Sequence, residues 1–320
     1  MLHVAAFAAG FALDLLLGDP HWLYHPVRLI GWLISRLEKM LRSLFRKSPA
    51  GETAAGVVLV ILVCLLSSAV PLGILWLCGL IHPWFGAAVE AVMCYQILAV
   101  KSLHTESMKV CRELERGDLP GARRAVSMIV GRDTDTLTEE GVARAAVETV
   151  AENTSDGIAA PMLFLAIGGP VLGFFYKAVN TMDSMVGYRS ESYLYFGRAA
   201  ARFDDVLNFI PARLCSWLMV LAAAILGMDS QNAAKVYLRD KGNSSSPNSA
   251  HTEAACAGAL NVRLGGEASY FGKPVQKPYL GDDIKKITPD TIRLANRLMY
   301  GTAVILFLLC LYLRAALFIL

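Results

Sequence analysis

Glu148, Glu152 and Asp156 recur at four-residue intervals, so on a helix they would stack along one face with Asn153 beside them. Like charges at that spacing repel by a few tenths of a kcal/mol per pair, so the stripe needs a cation. Arg144, four residues before Glu148, would supply one in an ordinary salt-bridged face. The other candidate is Mg²⁺, which takes one or two carboxylates, keeps several waters and binds substrate phosphates. The stripe ends at Asp156 and Gly157, where an apolar block begins, and carboxylates at a membrane mouth favour the metal.

Two further polar groups follow. Lys177, Asn180 and Ser184 share a helical face, with Asp183 adjoining and Tyr188, Arg189 and Glu191 close behind. Arg198, Arg202, Asp204, Asp205, Asn208 and Arg213 form the next group. Asp204 and Asp205 with Asn208 loosely match the acidic motifs that hold Mg²⁺ diphosphate in membrane prenyl-transfer enzymes, but the signal is weak, because an Asp pair near a helix end is usually just solvated or capping. Asp14 and Asp19 either join the same mouth or cap the turn at Pro20. His21 and His25 have ligand spacing, but Pro26 pushes His25 toward extended backbone, so a shared helix face and a two-histidine metal site are not expected. The seven cysteines include no CxxC pair, and the chain has no GxxxxGK[ST], no dinucleotide fingerprint and no Gly-x-Ser-x-Gly elbow.

The elements that must position these residues are membrane helices. Of 320 residues 55% are hydrophobic and only 18% charged, against about 25% in a soluble domain. The mean hydropathy is +0.46, and the uncharged residues lie in long blocks. A net charge of +3 is too small and too dispersed for a nucleic-acid partner. The pattern predicts an all-α fold, a polytopic membrane helical bundle with helical loops on the cytoplasmic side, as one integral membrane domain over 1–320. Spans are expected near 2–17, 54–81, 84–100, 210–227 and 298–320; the first is a retained segment, since no basic n-region or cleavage site marks a signal peptide. The block 157–176 either crosses or re-enters, because Gly168, Gly169 and Pro170 would break a straight helix at its centre. Glu90 must face other helices. Arg36, Lys39, Arg42, Arg46 and Lys47 against Glu38 make a cytoplasmic loop by the positive-inside rule, or an amphipathic surface helix through Met40, Leu41, Leu44 and Phe45. Helix starts are expected at Asp118 with Pro120, at Thr136 with Glu139 in capping-box spacing, and near Pro247, followed by a small-residue run from Ala254 to Ala259.

With these residues laid out, the chain resembles the adenosylcobinamide-phosphate synthase family of cobalamin biosynthesis, integral membrane proteins, over nearly its whole length. The resemblance rests on Asp14-Leu-Leu-Leu-Gly-Asp-Pro20 with His25-Pro-Val27, Gly131-Arg-Asp-Thr134, Ala151-Glu-Asn-Thr-Ser-Asp-Gly157, and Ala178-Val-Asn-Thr-Met-Asp-Ser-Met-Val-Gly-Tyr-Arg189. It continues through Phe203-Asp-Asp-Val-Leu-Asn208, Pro211-Ala-Arg213, Ser246-Pro-Asn248, Val262-Arg-Leu-Gly-Gly266 and Lys277-Pro-Tyr-Leu-Gly-Asp282. Ala250-His-Thr-Glu253 and Glu267-Ala-Ser-Tyr270 depart from the family pattern; the first keeps its glutamate and loses an aromatic ring.

The resemblance implies that a propionate carboxylate of adenosylcobyric acid is joined to aminopropanol phosphate, or a related amino-alcohol phosphate, with ATP and Mg²⁺. A carboxylate becomes an electrophile only when one oxygen is made a leaving group, so an acyl phosphate is the expected intermediate. In that frame Glu152, Asp156 and Asp183 would hold Mg²⁺, and Lys177, Arg132 and Arg189 the phosphate oxygens. Asn153, Asn180, Asn248 and Glu253 would contact substrate, and Glu148 or His25 would take the amine proton. Membrane lipid and other corrinoid-assembly enzymes are the implied partners, with the active face on the cytoplasmic side of the plasma (inner) membrane. Two other classes compete: a non-catalytic membrane sensor on the same scaffold, and a Mg²⁺-dependent transferase acting on a lipid diphosphate through Asp204 and Asp205.

Overall fold

The computed structural model describes residues 1–20, 24–188, 190–270 and 272–319. Helices dominate them. In chain order these are α1 (Leu2–Leu17), α2 (Pro26–Leu44), α3 (Pro49–Ile81), α4 (Pro83–Tyr95), α5 (Val100–Glu115), α6 (Leu119–Ser127), α7 (Glu139–Asn153), a π turn (Thr154–Ala159), α8 (Ala160–Val186), α9 (Arg198–Ile225), α10 (Ser230–Asp240), α11 (Ser249–Leu260) and α12 (Pro289–Ile319). A single hairpin, β1 (Leu264–Tyr270) with β2 (Lys273–Leu280), interrupts them.

Among the described residues five helical segments are long and apolar enough to cross a membrane: Pro49–Ile81, Pro83–Glu115, Glu139–Val186, Arg198–Ile225 and Pro289–Leu317, with Leu2–Leu17 a shorter apolar helix. The chain is therefore a multi-pass helical membrane protein. On α3 only 17% of the most apolar window is buried, and Ile61, Leu65, Leu72, Trp76 and Leu80 point outward, as a lipid-facing helix requires. The basic stretch from Arg36 belongs largely to α2, an amphipathic helix that turns Ile30, Ile34 and Leu41 inward, rather than to a loop. Within it Arg42 pairs with Glu38 and lies 4.2 Å over the Phe196 ring.

The chain divides into two compact units. The first comprises Met1–Leu98, Ala160–Asn208 and Leu309–Leu320. Here α1 lies on α4 so closely that a side chain at Gly10 would meet the Cys94 Cβ at 2.5 Å. The expected break in α8 is present: Gly168 and Gly169 leave helical geometry, Gly169 with φ +61, and Pro170 follows. The carbonyls of Leu165 and Ala166, which lose their helical partners there, accept hydrogen bonds from Arg314 Nη1 at 2.6 and 3.4 Å. Arg314 Nη2 pairs with Glu90, whose other oxygen meets His3 Nδ1. Glu90 does face helices, and its counter-ion is 224 positions away.

The second unit comprises Ala99–Ala159 and Phe209–Leu308. Asp118 caps α6 through the Gly121 amide, with a proline in the first turn as expected. The cap of α7 is Thr138, two residues later than the capping-box spacing places it, with Glu139 and Glu140 in its first turn. Likewise α11 starts at Ser249 behind Asn248, so Pro247 precedes the helix instead of entering it. The small-residue run does its expected work, since a Cβ on Gly258 would meet the Asn232 carbonyl oxygen at 2.5 Å where α10 and α11 touch.

Candidate active site

The second unit gathers charge around α7. Glu148 is buried and uses both oxygens: Oε2 pairs with Arg132, and Oε1 accepts the Gly265 amide at 2.8 Å. One carboxylate thus anchors the loop before α7 and the first glycine of the hairpin together. Arg132 is held from its other side, since Asp133 accepts the Ser269 hydroxyl at 2.6 Å and the Gly272 amide at 2.8 Å. Gly265 and Gly266 have φ +82 and +89, and a Cβ on Gly265 would meet the Pro278 carbonyl oxygen at 2.2 Å. Only glycine lets the strand approach so closely. Past that irregularity Gly266 stands opposite Lys277 in the ladder.

Lys277 thereby joins Arg132 beside Glu148, Glu152 and Glu253. Burial and Arg132 push the Lys277 ammonium down, but Glu148 and Glu253 outweigh them and hold it above its usual value, so it stays charged. Burial depresses Arg132 too, and Glu148 more than reverses this. The Glu253 carboxyl is pushed well above the usual range by burial first and then by Glu152 and Glu148. Three acidic side chains thus crowd two cations in a poorly solvated space, and one more cation would favour the ionised form of Glu253. Among the described residues no three His, Cys, Asp or Glu side chains are arranged to ligate a metal alone. Mg²⁺ needs only one or two, since waters and phosphate oxygens complete its shell, and Glu152 with Glu253 fit that requirement.

The expected stripe runs from α7 into the π turn. Glu152 faces Lys277, Glu148 and Arg132, whereas Asp156, inside the turn, approaches Cys215 of α9. The helix does not stop at Gly157 but passes through the turn into α8. Arg144 compensates Glu140, not Glu148. Asn153 donates to the Thr149 carbonyl at 3.0 Å, and Asn248 accepts from Arg213 Nη1 at 3.2 Å. Lys277 and Tyr270, whose ring lies 5.9 Å from the Lys277 Nζ, are additions that the sequence motifs contain but do not single out.

The remaining expected site residues belong to the first unit, apart from Arg189, which, like His21, lies outside the described residues. There Asp204 accepts from Asn208 at 2.9 Å and Asn180 at 3.5 Å, Tyr176 donates to Asn208 at 2.8 Å, and Asp183 lies near enough for Asp204 to feel its charge. His25 caps α2: its Nδ1 accepts the Val27 amide at 3.2 Å, and its Nε2 lies 3.5 Å from Asp19. Burial lowers its pKa, Asp19 opposes and Lys177 adds to the lowering.

The comparisons with known proteins agree with one another. The model of the CobD/Cbib protein family matches residues 7–299. The chain belongs to this family. Relatives of the CobD/Cbib family include a cobalamin biosynthesis protein CobD of Geobacter metallireducens, 52% identical over 95% of both chains, and one of Clostridium perfringens, 48% identical over 91% of both. A cobalamin biosynthesis protein CbiB of Salmonella arizonae is 44% identical over 94% of both. No solved structure matches. The family match takes in every residue of the Glu148 cluster, whereas His3 and Arg314 of the buried ionic contact lie outside it.

Proposed function

We propose that this chain is a cobalamin-biosynthetic enzyme that joins aminopropanol phosphate, or a close amino-alcohol phosphate, to a propionate carboxylate of adenosylcobyric acid with ATP and Mg²⁺. The observation that carries the reading is the buried meeting of Arg132 and Lys277 with Glu148, Glu152 and Glu253 in a member of the CobD/Cbib family. Making an amide from a carboxylate requires one carboxylate oxygen to attack the terminal phosphorus of ATP, releasing ADP and leaving an acyl phosphate. The neutral amine then attacks the acyl carbon, phosphate departs, and it takes the proton that nitrogen gives up. Both steps build charge on oxygen, which fixed cations stabilise best where water is scarce.

Arg132, with its planar fork held by Glu148, suits the equatorial phosphoryl oxygens, and Lys277 meets them as a point charge. Glu152 and Glu253 are the carboxylates that would hold Mg²⁺, which supplies charge neutralisation on the phosphates. Glu148 is assigned to positioning Arg132 rather than to proton transfer, because both its oxygens are taken. His25 is likewise assigned to its cap. By the positive-inside rule the basic residues of α2 support a plasma-membrane protein with that helix on the cytoplasmic side, and the catalytic side is proposed to be cytoplasmic as well.

The test is incubation of the detergent-purified protein with adenosylcobyric acid, aminopropanol phosphate, ATP and Mg²⁺. The reading requires a corrinoid amide and one ADP per amide. Transfer to a prenyl acceptor without ATP consumption, or inertness toward every combination, would refute it.

A further inference from the structure

A cavity of about 490 Å³ in the second unit is lined by Arg213 and Trp217 of α9, Tyr237 of α10, Lys241 just beyond it, and Ser246 and His251 around the start of α11. Its charge is one-sided: two cations and no carboxylate among the lining residues. The contacts of Arg213 are to neutral groups, its Nη1 donating to the Phe209 carbonyl at 2.7 Å and to Asn248 at 3.2 Å while its guanidinium lies 3.5 Å over the Phe209 ring. Lys241 stands exposed, its Nζ 5.6 Å from the centre of the Tyr237 ring. His251 is no counter-ion either. Burial, then Arg213 and Lys241, push it down to about 4, and Tyr237 bonds its Nδ1 at 3.2 Å.

The loop that closes this cavity is built around hydroxyls. Ser246 accepts the amides of Asn248 and Ser249 at 3.2 and 3.4 Å, and the Ser244 and Ser249 hydroxyls meet at 2.9 Å. Asn248, at the cap position of α11, makes no side-chain cap and gives its carbonyl oxygen to Arg213 instead. The result is a fixed, polar wall behind two uncompensated cations. A phosphomonoester, carrying about −1.5 to −2 at neutral pH, matches their charge, and the Arg fork matches its oxygens. A metal-bridged polyphosphate does not match, because it brings a divalent cation that needs a carboxylate.

We propose that this cavity binds a dianionic phosphomonoester through Arg213 and Lys241 and, resting on the synthase reading above, that the ligand is the phosphate end of the amino alcohol. The phosphate is then held by cations other than Arg132 and Lys277, which the synthase reading assigns to ATP.

The test uses the full chain in detergent, titrated calorimetrically with aminopropanol phosphate and, separately, with inorganic phosphate. Lys241→Gln should keep the wild-type thermal midpoint and weaken both by about tenfold or more. Arg213→Lys, which keeps the charge and loses the fork, should also weaken both. In the amide-forming assay Lys241→Gln should raise KM for aminopropanol phosphate about tenfold more than KM for ATP. Unchanged affinities in both variants would overturn the proposal. So would displacement of phosphate by a non-hydrolysable ATP analogue but not by aminopropanol phosphate, or binding shown only by phosphatidic acid in mixed micelles. Weakened phosphate binding in the variants, in a protein that forms no amide under any condition, would uphold the site and remove the synthase reading. Normal amide formation with unchanged KM would do the reverse.

Discussion

Lys277 is the residue on which the candidate site turns, since without it Arg132 alone faces three carboxylates. Lys277→Gln should lower kcat for amide formation by about 10² to 10³, the range for removing one fixed transition-state donor, and should also lower the thermal midpoint, so kcat is compared well below it. A kcat within threefold of wild type would place the chemistry elsewhere. Glu148→Ala should act mainly on stability, because it strands a buried Arg132 and a buried amide; a stability loss of about 3 to 5 kcal/mol by chemical denaturation is expected. Glu148, Glu152, Arg132 and Glu253 were legible in the sequence as charged groups in an apolar chain. Lys277 was not, because a lysine in a Gly- and Pro-rich stretch looks like loop until its partner strand is known.

At the scale of elements, the sequence shows what periodicity and breakers can show. The span around 54–81 and the break at Gly168 to Pro170 follow directly from apolar length and from backbone chemistry. The π turn escapes such reading: one wide turn over Thr154–Ala159 leaves composition unchanged. The hairpin escapes it too, because β1 is rich in small residues and β2 carries Pro274 and Pro278, which argue against a strand. Pairing of Glu90 with Arg314 is invisible to any local pattern. Arg314→Ala should cost about 3 to 5 kcal/mol, measured by thermal denaturation in detergent, and Glu90→Gln combined with it should cost less than the sum. Additive losses would contradict the contact.

Asp240, at the end of α10, makes the same kind of argument for acid lability. Burial pushes its carboxyl up, but hydrogen bonds from Arg239 at 2.7 and 2.8 Å and from the Gly281 amide at 2.8 Å outweigh this and hold it below the usual range. A depressed folded-state pKa adds stability above the unfolded value of about 3.9, and that contribution is lost as pH falls through the folded value. Asp240→Asn should therefore lower the thermal midpoint at neutral pH and narrow its gap to wild type as the pH is taken below about 4. A gap independent of pH would show that the carboxylate contributes nothing beyond its shape.

At the scale of the whole molecule, the apolar outer face of α3 and five helices of spanning length make this a membrane protein whose polar chemistry must be enclosed by protein. If the basic face of α2 lies at the inner leaflet, a cysteine replacing exposed Lys47, just beyond the end of α2, in a chain without native cysteines should react with an impermeant maleimide in inverted vesicles and not in intact cells. The central claim is that the buried cluster activates a carboxylate as an acyl phosphate. Adenosylcobyric acid labelled with oxygen-18 in its free carboxylate tests it most directly. The account predicts that each amide formed releases one inorganic phosphate carrying one labelled oxygen. Amide formed with unlabelled phosphate would contradict it.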